Sequence, residues 1–168
     1  RTEWAQTSSD GMFMFGDCLE VRASNIHDVH NGIVLYHTNS VKIEDAEIQN
    51  FSVDGIAFSG KNIVIRNNVI HDQWPTGDDL HPDCMQGQSA PGGPKYGPVL
   101  IENNICLSDT SARHSELFQG INIFNGAWSD VTIRCNFVRP TIWHGISLYG
   151  TDNVKIEDGL LKITAKKE

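Results

Sequence analysis

Leu19-Glu-Val-Arg22, Val41-Lys-Ile-Glu44, Ile63-Val-Ile-Arg66, Val99-Leu-Ile-Glu102, Val131-Thr-Ile-Arg134 and Val154-Lys-Ile-Glu157 are six copies of one phrase, apolar-x-apolar-charged. They start 22, 22, 36, 32 and 23 residues apart. A short strand signal that returns about every 22 residues predicts an all-β solenoid whose coils stack in register. The two long intervals predict insertions, at 71–98 and 107–118, on an otherwise regular scaffold.

Working outward, most phrases lead into a polar pair and another apolar residue, as in Asn67-Asn68-Val69-Ile70, Asn103-Asn104-Ile105-Cys106 and Cys135-Asn136-Phe137-Val138. Asn and Asp tolerate left-handed backbone angles, so the pair reads as a sharp turn between strands. Stacking then piles Asn68, Asn104 and Asn136 into a ladder. A second strand family lies upstream: Asn31-Gly-Ile, Asp54-Gly-Ile, Asp83-Cys-Met, Gln119-Gly-Ile and His144-Gly-Ile. Period-two alternation turns Ile33/Leu35, Ile56/Phe58, Ile121/Ile123 and Ile146/Leu148 inward, giving at least two strands per coil.

The last position of the phrase alternates in sign: Arg22, Glu44, Arg66, Glu102, Arg134, Glu157. With coils one strand spacing apart, this predicts a ladder of exposed ion pairs, each contributing about 0–1 kcal/mol. Its information is register.

The chain of 168 residues carries 13 Lys and Arg against 21 Asp and Glu, a formal net charge of −8. That balance argues against nucleic acid as a partner. No apolar run is long enough to span a membrane. One domain, 1–168, is expected. Neither Arg1 to Gly16 nor Lys162 to Glu168 reads as a cap for the stack, so flanking domains or a homotrimer are expected to cover its ends. Cys106 falls in the column of Ile48, Ile70 and Val138 and is expected to be a small core hydrophobe. Cys84 and Cys135 replace a Gly and a turn residue in their columns.

Chemistry concentrates where the repeat is interrupted. The first insertion holds His71, Trp74, Asp78, Asp79, His81, Asp83 and Gln86, and the second His114, Ser115 and Glu116. In solenoids such insertions map to loops on one face, often the binding face. The turn column reads Asn31, Asp54, Asp83, Gln119, His144, and the outward column three residues on reads Val34, Ala57, Gln86, Asn122, Ser147. The outward column is plain at one end and polar from the coil of Asp83 onward, as a groove cut into one end of the scaffold would leave it.

The V-x-I-x-N-N-x-I phrases and N/D-G-I strands resemble the right-handed parallel β-helix superfamily typified by pectate lyases, across nearly the whole chain. The stretch His81-Pro-Asp-Cys-Met-Gln86, with Gln119-Gly-Ile and His144-Gly-Ile on later coils, is similar to bacterial β-helix proteins related to alginate lyases and mannuronan epimerases. The epimerases carry Asp-Pro-His-Asp; here the order is His-Pro-Asp, so their catalytic assignment does not transfer. The resemblance implies a secreted, cell-surface or virion-associated protein whose partner is an acidic polysaccharide.

Breaking a uronate by β-elimination needs a neutralised C6 carboxylate, a base for the C5 proton and an acid for the leaving oxygen. Histidine suits either proton role, so His81 and His144 are the expected acid and base. Gln86, Gln119 and Asn122 are the expected amide contacts to the carboxylate, joined by Asp83 if burial protonates it. His71 and His114 rank below these, and His27, His30 and His37 lower still. Trp74 and Trp143, with Tyr96 and Trp128, are candidate sugar platforms.

Glycoside hydrolysis is the second enzymatic expectation, using two carboxyls from Asp79, Asp83 and Glu116. No cofactor is required, although the Asp78-Asp79 pair suits Ca²⁺. The alternative to a lyase or epimerase is a phage tail-spike or surface-adhesin module that binds or depolymerises glycan as a trimer.

Overall fold

A computed structural model describes residues 9–74, 81–89, 92–108 and 117–161. Its strands pair in parallel throughout and wind into six coils, each with three strands rather than the minimum of two. The first face stacks Met12–Met14, the opening parts of Ile33–Glu44 and Asp54–Arg66, then Asp83–Gln88, Gln119–Phe124 and Ile146–Leu148. The second stacks Asp17–Arg22, the closing parts of those two long strands, Val99–Glu102, Trp128–Arg134 and Thr151–Glu157. The third runs from Asn25–Val29 through Glu47–Phe51, Val69–His71, Ile105–Leu107 and Phe137–Arg139 to Leu160–Leu161.

The phrase is the second face. Its apolar positions Val41/Ile43, Ile63/Ile65, Val99/Ile101 and Val131/Ile133 are buried and meet Ile33/Leu35, Ile56/Phe58 and Ile121/Ile123 of the first face inside the coil. The third face contributes Ile26, Ile48, Ile70, Cys106 and Val138 to the same core.

Between the second and third faces every coil has one left-handed residue: Ala23, Asp45, Asn67, Asn103, Cys135 and Asp158, with φ between 46° and 57°. In the four inner coils the residue after it is buried: Ala46, Asn68, Asn104 and Asn136. There Asn68 Nδ2 donates to Asn104 Oδ1 and Asn104 Nδ2 to Asn136 Oδ1, each at 2.9 Å. The same amides donate to the carbonyls of Ile43, Ile65 and Ile101, which satisfies polar groups the bend would otherwise strand in the core.

The charged column is in register from Arg22 to Glu157. Its pairs differ from the expected exposed kind, because Glu44 is 2% exposed. It lies between Arg22 at 2.7 Å and Arg66 at 2.8 Å, while Arg134 meets Glu102 at 2.7 Å. A carboxylate removed from water this far depends on its partners, so Glu44 is a more sensitive position than a surface pair would be.

The structure also corrects the expectation for Cys106. It occupies the predicted buried column but is bonded to Cys84, with Cα atoms 5.8 Å apart. The neighbouring coils show why. A Cβ placed on Gly32, Gly55 or Gly120 would fall 2.5 Å from the side chain of Ile48, Ile70 or Val138. Each of those coils therefore pairs a glycine on the first face with a large apolar residue on the third. In the fourth coil both members change together, and a disulfide fills the space that an isoleucine takes elsewhere. Cys18 and Cys135 are free and exposed.

Candidate functional site

The turn column at the start of the first face is a chain of acceptors. Asn31 Oδ1 takes the Asp54 N–H at 3.1 Å, and Asp54 Oδ1 takes the Asp83 N–H at 3.2 Å. Because parallel coils repeat the bend at one height above another, each side chain meets the backbone of the next coil. Two carboxyls are thereby stacked inside the protein, Asp54 5% and Asp83 0% exposed.

Burial pushes both carboxyls up, Asp54 to about 7 and Asp83 to about 8, with the charge of Asp54 adding to the rise at Asp83. Hydrogen bonds from Asn122 and Gln86 oppose the shift at Asp83 without overcoming it. The pair titrates as one unit and retains a proton at neutral pH. Burial, the condition that the sequence set for protonating Asp83, is met.

From Asp83 the polar network spreads over the outer side of the first face. Gln86 Nε2 donates to Asp83 Oδ2 at 2.9 Å, and Gln88 donates in turn to Gln86 Oε1. On the next coil Asn122 donates to Gln119 Oε1 at 3.2 Å, and the Ser147 hydroxyl donates to Asn122 Oδ1. Asp83, Gln86, Gln119 and Asn122 thus form one cluster, as their columns required. Gln119 and Asn122 are buried, whereas Gln86 is half-buried and Gln88 exposed. Among the described residues Asp83 Oδ1 accepts no hydrogen bond.

His81 is exposed and its ring meets Trp143 edge-on at 5.4 Å between centroids. His144 meets Phe124 at 6.4 Å, and Phe124 stacks on Tyr149 at 5.3 Å. Since Phe124 follows Asn122 by two residues, its ring and the Asn122 amide share the outer side of one strand. Trp143 is 74% and Tyr149 53% exposed. Trp74 is half-buried after the third strand of its coil, with its N–H on the Phe51 carbonyl.

Two of the aromatic expectations change. Trp128 is fully buried against Phe58 and Tyr96, so it is core and presents no platform. Tyr96 is 4% exposed, with its hydroxyl on His37 Nδ1. His71 lies between Asp72 and Glu47, at 2.8 and 3.2 Å. Asp78, Asp79, His114, Ser115 and Glu116 lie outside the described residues. Among the described residues no group of three His, Cys, Asp or Glu side chains is arranged to hold a metal ion.

The sequence did not single out Gln88, Phe124 or Tyr149 for this site. Each follows a residue of the outward column by two positions, and that spacing was the available signal.

A parallel solenoid carrying a carboxyl-amide cluster between exposed rings defines the class of protein. The chain belongs to the family described as right handed beta helix region, whose model matches residues 10–162. Among solved structures it is similar to the crystal structure of an alginate lyase from Paenibacillus sp. str. FPU-7, with 15% identity, a TM-score of 0.38, and coverage of 93% of this chain and 78% of that one. Among curated proteins none matches.

Proposed function

We propose that the chain is a carbohydrate-active enzyme that binds an acidic, uronate-containing polysaccharide across the outer side of the first face and cleaves it as a lyase. The observation that carries this reading is the Asp83-Gln86-Asn122-Gln119 cluster with Trp143 and Tyr149 exposed around it. A carboxyl that keeps its proton at neutral pH does not repel a uronate. The exposed rings suit the apolar faces of sugars, and amides suit their oxygens.

In this reading the half-buried Gln86 faces the uronate, while Asp83 and Asn122 hold it in place from beneath. His81 and His144 take the proton roles: one accepts the C5 proton, the C5–H pair becomes the C4–C5 double bond, and the C4–O bond breaks. The other donates a proton to the departing oxygen. Trp143 and Trp74 border the sugar chain. The Cys84–Cys106 disulfide supports a location outside a reducing cytosol.

The second reading, a glycan-binding module of a tail spike or adhesin, is favoured by one observation. In the sixth coil Val154, Ile156, Leu160 and Leu161 are 41–60% exposed, an apolar end that a partner subunit or flanking domain would cover.

Incubation with alginate, pectate and other uronans, followed by ultraviolet absorbance of the unsaturated product, separates the two. Rising absorbance is expected. Binding without absorbance on every uronan would move the assignment to the binding module.

A further inference from the structure

At the bend between the first and second faces, coils two to five leave a cleft of about 420 Å³ beside the cluster. Ala57 lies between the larger Val34 and Gln86 in the outward column, so the surface dips there. Tyr36 borders the dip with a half-exposed ring packed at 4.2 Å on His37. His37 stands where the strand register shifts between Leu35 and Thr38, with φ at 50°.

The other side of the cleft is Tyr96, supplied by the end of the first insertion. Its backbone enters the sheet, taking the Ser129 N–H at 2.9 Å and donating to the Ala127 carbonyl at 3.0 Å. Its ring packs on Trp128 at 5.3 Å and its hydroxyl meets His37 Nδ1. Burial raises the phenol above its ordinary range, so it is a neutral hydroxyl at physiological pH.

Among the described residues the lining of this cleft contains no Lys, Arg, Asp or Glu, and its imidazole, His37, is engaged at Nδ1 by the Tyr96 hydroxyl. Gln88 and Asn125 add amides to the hydroxyl and ring. A carboxylate held there would lose water without gaining a Lys or Arg partner, and such burial is costly. A sugar with hydroxyls alone meets no such cost. Gln88 also joins this cleft to the carboxyl cluster, since it donates to Gln86, which donates to Asp83.

We propose that the cleft between Tyr36, Tyr96 and Gln88 is a subsite for a neutral sugar residue, and that the substrate is a heteropolysaccharide in which uronates and neutral sugars both occur. The proposal rests on the uronan reading above and adds the composition of the chain that is bound.

The test compares two mixed polymers, hyaluronan and gellan, with two polyuronates, alginate and polygalacturonate, on wild type and on the Tyr36→Ala and Gln88→Ala variants. Both replaced side chains are exposed, and thermal melts confirm folding. The wild type is expected to show at least about tenfold higher kcat/KM on a mixed polymer than on either polyuronate, with the ratio collapsing towards one in both variants. A polyuronate cleaved as well as the mixed polymers, or a ratio unchanged in both variants, overturns the subsite and leaves the lyase reading standing. Absence of product from all four polymers overturns the lyase reading. Calorimetric titration of the same polymers then decides the subsite: a preference for mixed polymers lost in the variants supports it, and no such preference overturns it.

Discussion

Replacing Asp54 by Asn tests the stacked carboxyls directly. A carboxyl whose folded pKa is raised stabilises the fold fully below its unfolded value near 4, and that contribution is lost as pH rises through the folded value. For Asp54 and Asp83 the loss runs from about pH 4 to their folded values of about 7 and about 8. If the pair retains only one extra proton between about pH 5 and pH 7, two units at about 1.36 kcal/mol each remove about 2.7 kcal/mol. For a chain of this length that is a fall in Tm of roughly 5–10 °C. Asn keeps the Oδ1 that accepts the Asp83 N–H, abolishes one titration and takes a charge away from Asp83. Thermal melts by circular dichroism across this range should show the variant gaining on wild type as pH rises, overtaking it above neutrality. Parallel wild-type and variant curves would refute the coupled-carboxyl argument.

Reduction of Cys84–Cys106, which closes a loop of 22 residues, should lower stability by about 3 kcal/mol. The Cys84→Gly/Cys106→Ile double variant, which restores the pairing of neighbouring coils, should melt at the same temperature with and without reductant. Asn104→Ala removes the Oδ1 that accepts the Asn68 backbone N–H and one Asn68 Nδ2 hydrogen, and the amide that donates to the Ile65 carbonyl, and should cost about 2–4 kcal/mol by chemical denaturation. A loss under about 0.5 kcal/mol would show that the ladder is incidental. His81→Ala and His144→Ala, made separately, should lower uronan turnover by roughly 10²–10⁴ while Tm stays nearly unchanged. A large Tm drop with little kinetic effect would make them structural.

Much of the fold can be read in the chain because its interactions repeat. Arg22, Glu44 and Arg66 occupy the same position in successive coils, so side-chain alternation and coil spacing alone place them in one column. The same logic finds Asn68, Asn104 and Asn136, and the line along which the outer face turns polar. It extends to Gln86 and Asn122 because they interrupt an apolar column. What repetition leaves open is decided by contacts across the coil and by segments of irregular length. Cys84 and Cys106 belong to different columns, and their bond depends on the narrow gap between a glycine and an isoleucine in adjoining coils. The proton held by Asp54 and Asp83 depends on how completely neighbouring coils exclude water. Tyr96 reaches His37, 59 residues away, only because the end of an insertion joins the sheet beside Trp128. Periodicity is local and carries from coil to coil, whereas burial and contact between unlike columns are properties of the closed stack, so they exist only in the tertiary structure.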